Sequence, residues 1–117
     1  MKTFKLPYPP SGNKYWRHFR GITCVSSEAR KYRNQAGLFA ISQGVKVLEG
    51  PICVGLEIYR PQKRGDIDNS LKVLFDSLNG IAWNDDGQIV ELHAYRFDDR
   101  ADPRVMVTVS PYKPPIF

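Results

Sequence analysis

Between Ile52 and Tyr59 the chain alternates without interruption: Ile52, Val54, Leu56 and Ile58 are aliphatic, and Cys53, Gly55, Glu57 and Tyr59 fall between them. A period of two over such a run marks a strand with one face against a core. Pro51 opens it and Gly65 breaks the chain after it. A chain built round this strand needs neighbouring strands and a layer to cover one face of the sheet. Thr3–Tyr8 supplies a second strand, with Phe4, Leu6 and Tyr8 on one face, ended by Pro9-Pro10-Ser11-Gly12-Asn13. The stretch from there to Val25 is polar and aromatic and reads as a loop, of a length that is usually functional. Ser26 or Ser27 then caps a helix that runs to about Gly44, with Ala29, Tyr32, Ala36, Phe39 and Ala40 on its shared face.

Leu71, Leu74, Phe75 and Leu78 predict a second amphipathic helix from about Asp68 to Asn79, stopped by Gly80. A third strand over roughly Gln88–Phe97 follows. The segment Asp98–Pro103 turns the chain into a fourth, carrying Val105, Val107 and Val109. The order β-α-β-α-β-β predicts an α/β fold of the α+β type: a mixed sheet with a hairpin at its end and two helices packed on one face. At 117 residues the chain is expected to be a single domain, 1–117, with residues 110–117 a proline-rich tail. No apolar run approaches the ~18 residues of a membrane span, and the first residues lack the apolar core of a signal peptide. Cys24 and Cys53 form neither a CxxC pair nor a disulfide framework, so a cytoplasmic location is expected.

Charge narrows the function. Residues 1–64 carry twelve basic and three acidic side chains, residues 65–117 five basic and nine acidic, a balance of +9 against −4. A basic surface suits an anionic partner, nucleic acid above all. Yet Asp66, Asp68, Asp76, Asp85 and Asp86 fall within 21 residues. Carboxylates beside a phosphate backbone weaken binding unless a cation offsets them, and a bound divalent ion does so. Oxygen ligands of this kind suit Mg²⁺. His18 and His93 are far apart in sequence, so no Cys/His cluster is expected to offer a zinc alternative. An EF-hand fails, because Leu71 stands where that loop needs Gly and Ser77 where it needs Glu. A phosphatase-type nucleophilic Asp lacks the apolar strand end expected before it, since Pro61-Gln62-Lys63-Arg64-Gly65 stands there. Each element also has a purely structural role open to it. Asp68 can cap a helix, Lys72 can pair along a solvated helix face, and Asp85-Asp86-Gly87 can be a polar turn.

Taken together, several blocks resemble the RusA-like Holliday junction resolvases. They are Pro9-Pro10-Ser11-Gly12-Asn13-Lys14-Tyr15-Trp16-Arg17-His18, Val25-Ser26-Ser27-Glu28 and Tyr32-Arg33; then Arg64-Gly65-Asp66-Ile67-Asp68-Asn69-Ser70-Leu71-Lys72, Phe75-Asp76-Ser77-Leu78 and Trp83-Asn84-Asp85-Asp86-Gly87-Gln88-Ile89-Val90. The resemblance implies a homodimeric endonuclease that cuts four-way DNA with paired symmetric nicks. It implies Mg²⁺, replaceable by Mn²⁺, held by Asp66, Asp68 and Asp86, with Asp85 at a neighbouring acidic position and Lys72 as the catalytic lysine. Gly65 departs from members with a basic residue there, which moves the expected DNA contacts to Lys63 and Arg64. Lys14, Tyr15, Trp16, Arg17 and Arg20, with Arg30 and Arg33 on the first helix, are the other candidates for phosphate contact and base stacking. A nuclease for other branched DNA, or a non-catalytic DNA-binding module, is the alternative. The second helix carries the chain ~18 Å from Asp68. Asp86 therefore returns to its own chain's site only if residues 80–86 are nearly extended, and otherwise serves the partner's.

Overall fold

The computed structural model describes residues 1–10, 16–19, 22–61 and 68–115, with backbone alone for 16–19, 22–25 and 68–70. Four strands form the main sheet: β1 (Lys2–Pro7), β4 (Ile52–Arg60), β5 (Ile89–Asp98) and β6 (Arg104–Pro111). Their order is β1-β6-β4-β5, with β6 antiparallel to both neighbours and β4 parallel to β5. A short antiparallel pair, β2 (Trp16–Phe19) and β3 (Ile22–Val25), forms a separate two-stranded sheet. It occupies part of the stretch expected to be a loop. Its sequence lacks the sustained apolar alternation that would have revealed it.

The alternating residues act as expected. Ile52, Val54, Leu56 and Ile58 of β4, Phe4 and Leu6 of β1, and Val105, Val107 and Val109 of β6 are all buried on one side of the sheet. Two helices cover them: α1 (Ser27–Ser42) through Ala29, Tyr32, Ala36 and Ala40, and α2 (Asp68–Leu78) through Val73, Leu74 and Leu78. Ser26 caps α1, its hydroxyl accepting the Ala29 N–H at 3.2 Å. Tyr32 donates its hydroxyl to the Pro7 carbonyl, and the C-cap residue Gln43 takes both the N–H and the carbonyl of Lys5, so the helix is tied to β1 from its second turn and from its C-terminal end. Phe39, expected on the buried face, is exposed instead: the buried arc is centred on Ala29, Ala36, Gly37 and Ala40, and Phe39 falls on its flank.

β5 and β6 are not a hairpin. They flank β4 on opposite sides, so the five residues between them cross the end of β4. The crossing is held there by the Asp99 N–H on the Arg60 carbonyl at 2.8 Å and by Arg60 Nη2 on Asp98 Oδ1 at 2.8 Å. Arg104 braces the turn against Asp99 and lies over the Tyr59 ring, 3.8 Å from its centroid. The guanidinium holds the Asp99 carboxyl below its ordinary range. The strand placed at the sheet edge is β5, reached from β4 through α2. The expected tail begins later than 110, since β6 runs to Pro111 and the Tyr112 N–H reaches the Pro51 carbonyl.

Candidate functional site

α2 begins at Asp68. Asp66, Lys63 and Arg64 lie outside the described residues, as does the side chain of Asp68. Burial of Val73, Leu74, Ser77 and Leu78 turns the remaining flank of α2 outward, and Lys72 and Asp76 stand on it. The Lys72 ammonium is exposed and lies 3.6 Å from Asp76 Oδ1, one turn on. Ser77 sends its hydroxyl back to the Val73 carbonyl and so needs no partner elsewhere in the core.

The chain between α2 and β5 is folded, not extended. Gly80, at a φ of 81° that favours glycine, donates its N–H to the Trp83 carbonyl, and Ile81 and Ala82 both donate to Leu78. Trp83 is fully buried, its ring edge-on to Phe75 and its indole N–H on Asn79 Oδ1 at 2.6 Å. Leu48 adds an N–H to the Ala82 carbonyl. A buried indole with its one donor satisfied is a firm anchor, and it sets the position of the acidic pair that follows.

That pair opens a single 3-10 turn, Asp86–Gln88. Asp85 caps it, with Oδ2 accepting the Gly87 N–H at 2.9 Å. Gln88 closes a capping box, its side-chain oxygen accepting the N–H groups of Asn84 and Asp85 at 2.7 and 3.0 Å. Its NH₂ reaches across to the carbonyls of Leu48 and Gly50 at 2.9 and 2.8 Å. The two adjacent aspartates thus have different tasks. Asp85 is bound into the turn, while no described residue holds the half-buried Asp86 carboxylate. The donor set fits a hard cation: carboxylate oxygens, one of them uncommitted, with no sulfur or imidazole at the turn. Gln88 was quoted in the sequence motif but not as a site residue. The D-x-x-Q spacing from Asp85, a capping-box pattern, is the signal that identifies it.

Of the basic and aromatic candidates, Arg30 and Arg33 lie exposed on α1. Trp16 and Arg17 lie on β2, paired in register with Val25 and Cys24, their side chains not described. Lys14, Tyr15 and Arg20 fall outside the described residues. The expectation that no zinc-type cluster exists is overturned. Register sets Cys53 of β4 against Glu91 of β5, with His93 two residues on, and one ligand atom from each lies within 4.8 Å of the others. Residues 53 and 91 are remote in sequence, and only the parallel pairing of β4 with β5 brings them together.

Comparison with known proteins bears on the whole of this arrangement. A family model described as RusA, endodeoxyribonuclease RusA, matches residues 7–110. The crossover junction endodeoxyribonuclease RusA of Escherichia coli strain K12 is 33% identical over 115 residues, covering 94% of this chain and 96% of the relative. The protein of the same name from Enterobacteria phage 82 is 32% identical over 108 residues, 90% of each chain, and that of Shigella sonnei is 32% identical over 115.

Proposed function

The chain belongs to the RusA endodeoxyribonuclease family, and we propose that it is a crossover junction endodeoxyribonuclease, a phosphodiester hydrolase that resolves four-way DNA by paired nicks. The observation that carries the site reading is the anchored turn, in which Asp85 and Gln88 are bound and the neighbouring Asp86 carboxylate is left uncommitted. Asp66, Asp68 and Asp86 would hold Mg²⁺, with Mn²⁺ able to replace it. When bound, the ion supplies a Lewis acid that activates water and offsets charge on the scissile phosphate. Lys72 presents an exposed ammonium from α2, suited to stabilising charge that develops on the phosphate or the leaving oxygen. Arg30 and Arg33, with Lys14, Tyr15, Trp16, Arg17, Arg20, Lys63 and Arg64, hold the DNA arms.

The working form is a homodimer. Two matched nicks on a two-fold substrate call for two sites related by a two-fold axis. The edge strand β5 exposes apolar side chains on both its faces, Val90 and Leu92 on one and Tyr95 and Phe97 on the other, and a second copy docked along this edge would cover them. The site is shared between the chains, Asp66 and Asp68 from one and Asp86 from the other. Two features support this. α2 spans ~15 Å between Asp68 and Leu78. The segment that would have to run straight back is folded on itself and tied to Gly50, beside the first residue of β4. Among the described residues no helix is long and apolar enough to cross a membrane, and action on cytoplasmic DNA completes the reading.

The test is incubation with a synthetic four-way junction, a fork and a linear duplex, with and without Mg²⁺, mapping nicks on every strand. Symmetric paired nicks confined to the junction and dependent on Mg²⁺ are expected. Asp66→Asn, Asp68→Asn and Asp86→Asn should each abolish them while keeping metal-free junction binding, because each removes a negative charge beside phosphate. Preference for the fork would make the protein a nuclease for other branched DNA. Binding with no cleavage under any metal would make it a binding module.

A further inference from the structure

One face of the sheet carries both helices, and no described element covers the other. On that open face three ligand-bearing side chains converge. Cys53 and Glu91 are register partners on the parallel strands β4 and β5, and His93 is the next residue of β5 on the same face. His93 Nε2 lies 3.7 Å from Glu91 Oε1, and Cys53 Sγ is within 4.8 Å of both. Gly55 stands opposite His93, so no side chain there obstructs the diagonal from the imidazole to the thiol. Tetrahedral zinc with bonds of ~2.0–2.3 Å sets its ligand atoms ~3.3–3.6 Å apart, so small rotamer adjustments close this triad round an ion.

We propose that Cys53, Glu91 and His93 form a second metal site, for a zinc-type divalent ion with water in its fourth position, which straps the edge strand β5 to β4. The chemistry separates it from the aspartates. Thiolate, imidazole and a single carboxylate select zinc-type ions, whereas Mg²⁺ takes oxygen ligands and holds several waters. Burial and the Glu91 carboxylate push the Cys53 thiol above its ordinary range, against a smaller opposing effect of Ser110, so an ion would bind there by displacing the thiol proton. Ser110, opposite Cys53 on β6, then becomes the hydrogen-bond partner that orients the sulfur. The strap would sit on β5 just after the turn that carries Asp86, at the parallel pair of the sheet.

The experiment titrates the metal-free, reduced full-length protein with Zn²⁺ against a chromogenic chelator, and in parallel with Co²⁺ read by absorbance. To keep the aspartates from contributing, both are repeated on Asp86→Asn. One tight zinc per chain is expected in both backgrounds, with a thiolate-to-cobalt charge-transfer band and a raised melting temperature. Cys53→Ser should lose the band and, like His93→Ala, weaken zinc by at least ~100-fold, since losing even an outer partner of a ligand costs about 10–100-fold. Cys53→Ser should also keep Mg²⁺-dependent nicking. Because Cys24 is the other thiol, a band or a tight zinc that survives Cys53→Ser overturns the proposal. So does a wild-type protein with no tight zinc, or one whose zinc is lost in Asp86→Asn.

Discussion

Replacing Gln88 with alanine should disable cleavage without removing any group that touches DNA or metal. The carboxamide joins four backbone groups, the N–H groups of Asn84 and Asp85 and the carbonyls of Leu48 and Gly50, at 2.7, 3.0, 2.9 and 2.8 Å. Water replaces most of these bonds readily, so they are worth ~0.5–1 kcal/mol each and ~2–4 kcal/mol together. A chain of this length has an unfolding entropy of ~0.25 kcal/mol/K, so the melting temperature should fall by ~8–16 °C. The functional loss is larger than the stability loss suggests. Without the bonds to Leu48 and Gly50, the turn bearing Asp86 loses its direct tie to the residues before β4, leaving the Leu48 N–H on the Ala82 carbonyl four residues earlier. A misplacement of ~1 Å at a reacting centre costs ~100-fold in rate. The assay is single-turnover nicking of a labelled four-way junction at saturating Mg²⁺, beside metal-free binding to the same junction. The rate should fall by ~100-fold while affinity holds. Gln88→Glu should fare no better, because its carboxylate would face the same two carbonyls. A Gln88→Ala protein that melts lower and still nicks at the wild-type rate would refute the idea that this anchor positions Asp86.

Lys72→Ala should leave the melting temperature nearly unchanged, since its exposed pair with Asp76 is worth only ~0.3–0.5 kcal/mol. It should lower the nicking rate far more than junction affinity, and normal turnover would leave Lys72 with the ion pair alone. Junction affinity should fall steeply with salt, by about 0.9 in logarithmic slope for each phosphate contacted. A flat response between low and physiological salt would remove Arg30, Arg33 and the rest of the basic half from the DNA surface. Mixing Asp66→Asn with Asp86→Asn protein after subunit exchange should restore nicking at one site per mixed dimer. No recovery would place Asp86 in its own chain's site.

Each element that buries a face was legible in the sequence. The alternation over 52–58 and the spacing of Leu71, Leu74, Phe75 and Leu78 are imposed by the core, and those elements begin and end within a few residues of expectation. What failed depends on order in space. Nothing local to Val105, Val107 and Val109 says whether β6 pairs with β5 or with β4. The choice follows from α2 carrying the chain to a parallel neighbour, which leaves the other side of β4 for β6. The β2–β3 pair stayed hidden because strands of four residues are too short to show a period of two against the surrounding polar and aromatic residues.

The site divides along the same line. The acidic cluster stood out because closely spaced carboxylates in a chain of net positive charge call for a cation, while the choice of Asp66, Asp68, Asp86 and Lys72 within it is what the resemblance to the RusA-like resolvases implies. Their arrangement could not be read, because it rests on groups whose roles show fully only in three dimensions. Trp83 looks like any aromatic residue until its indole is seen buried against Phe75 and bonded to Asn79. Gln88 is readable in the sequence as the last residue of a capping box, but that its amide also joins the acidic turn to Leu48 and Gly50 shows only in three dimensions. The two adjacent aspartates are separated by one feature: the Asp85 carboxylate accepts the Gly87 N–H, whereas no described residue holds that of Asp86. A hydrogen-bonded anchor beside an uncommitted carboxylate suits the metal role proposed for Asp86, because the anchor fixes the turn just before β5 without drawing on the Asp86 oxygens.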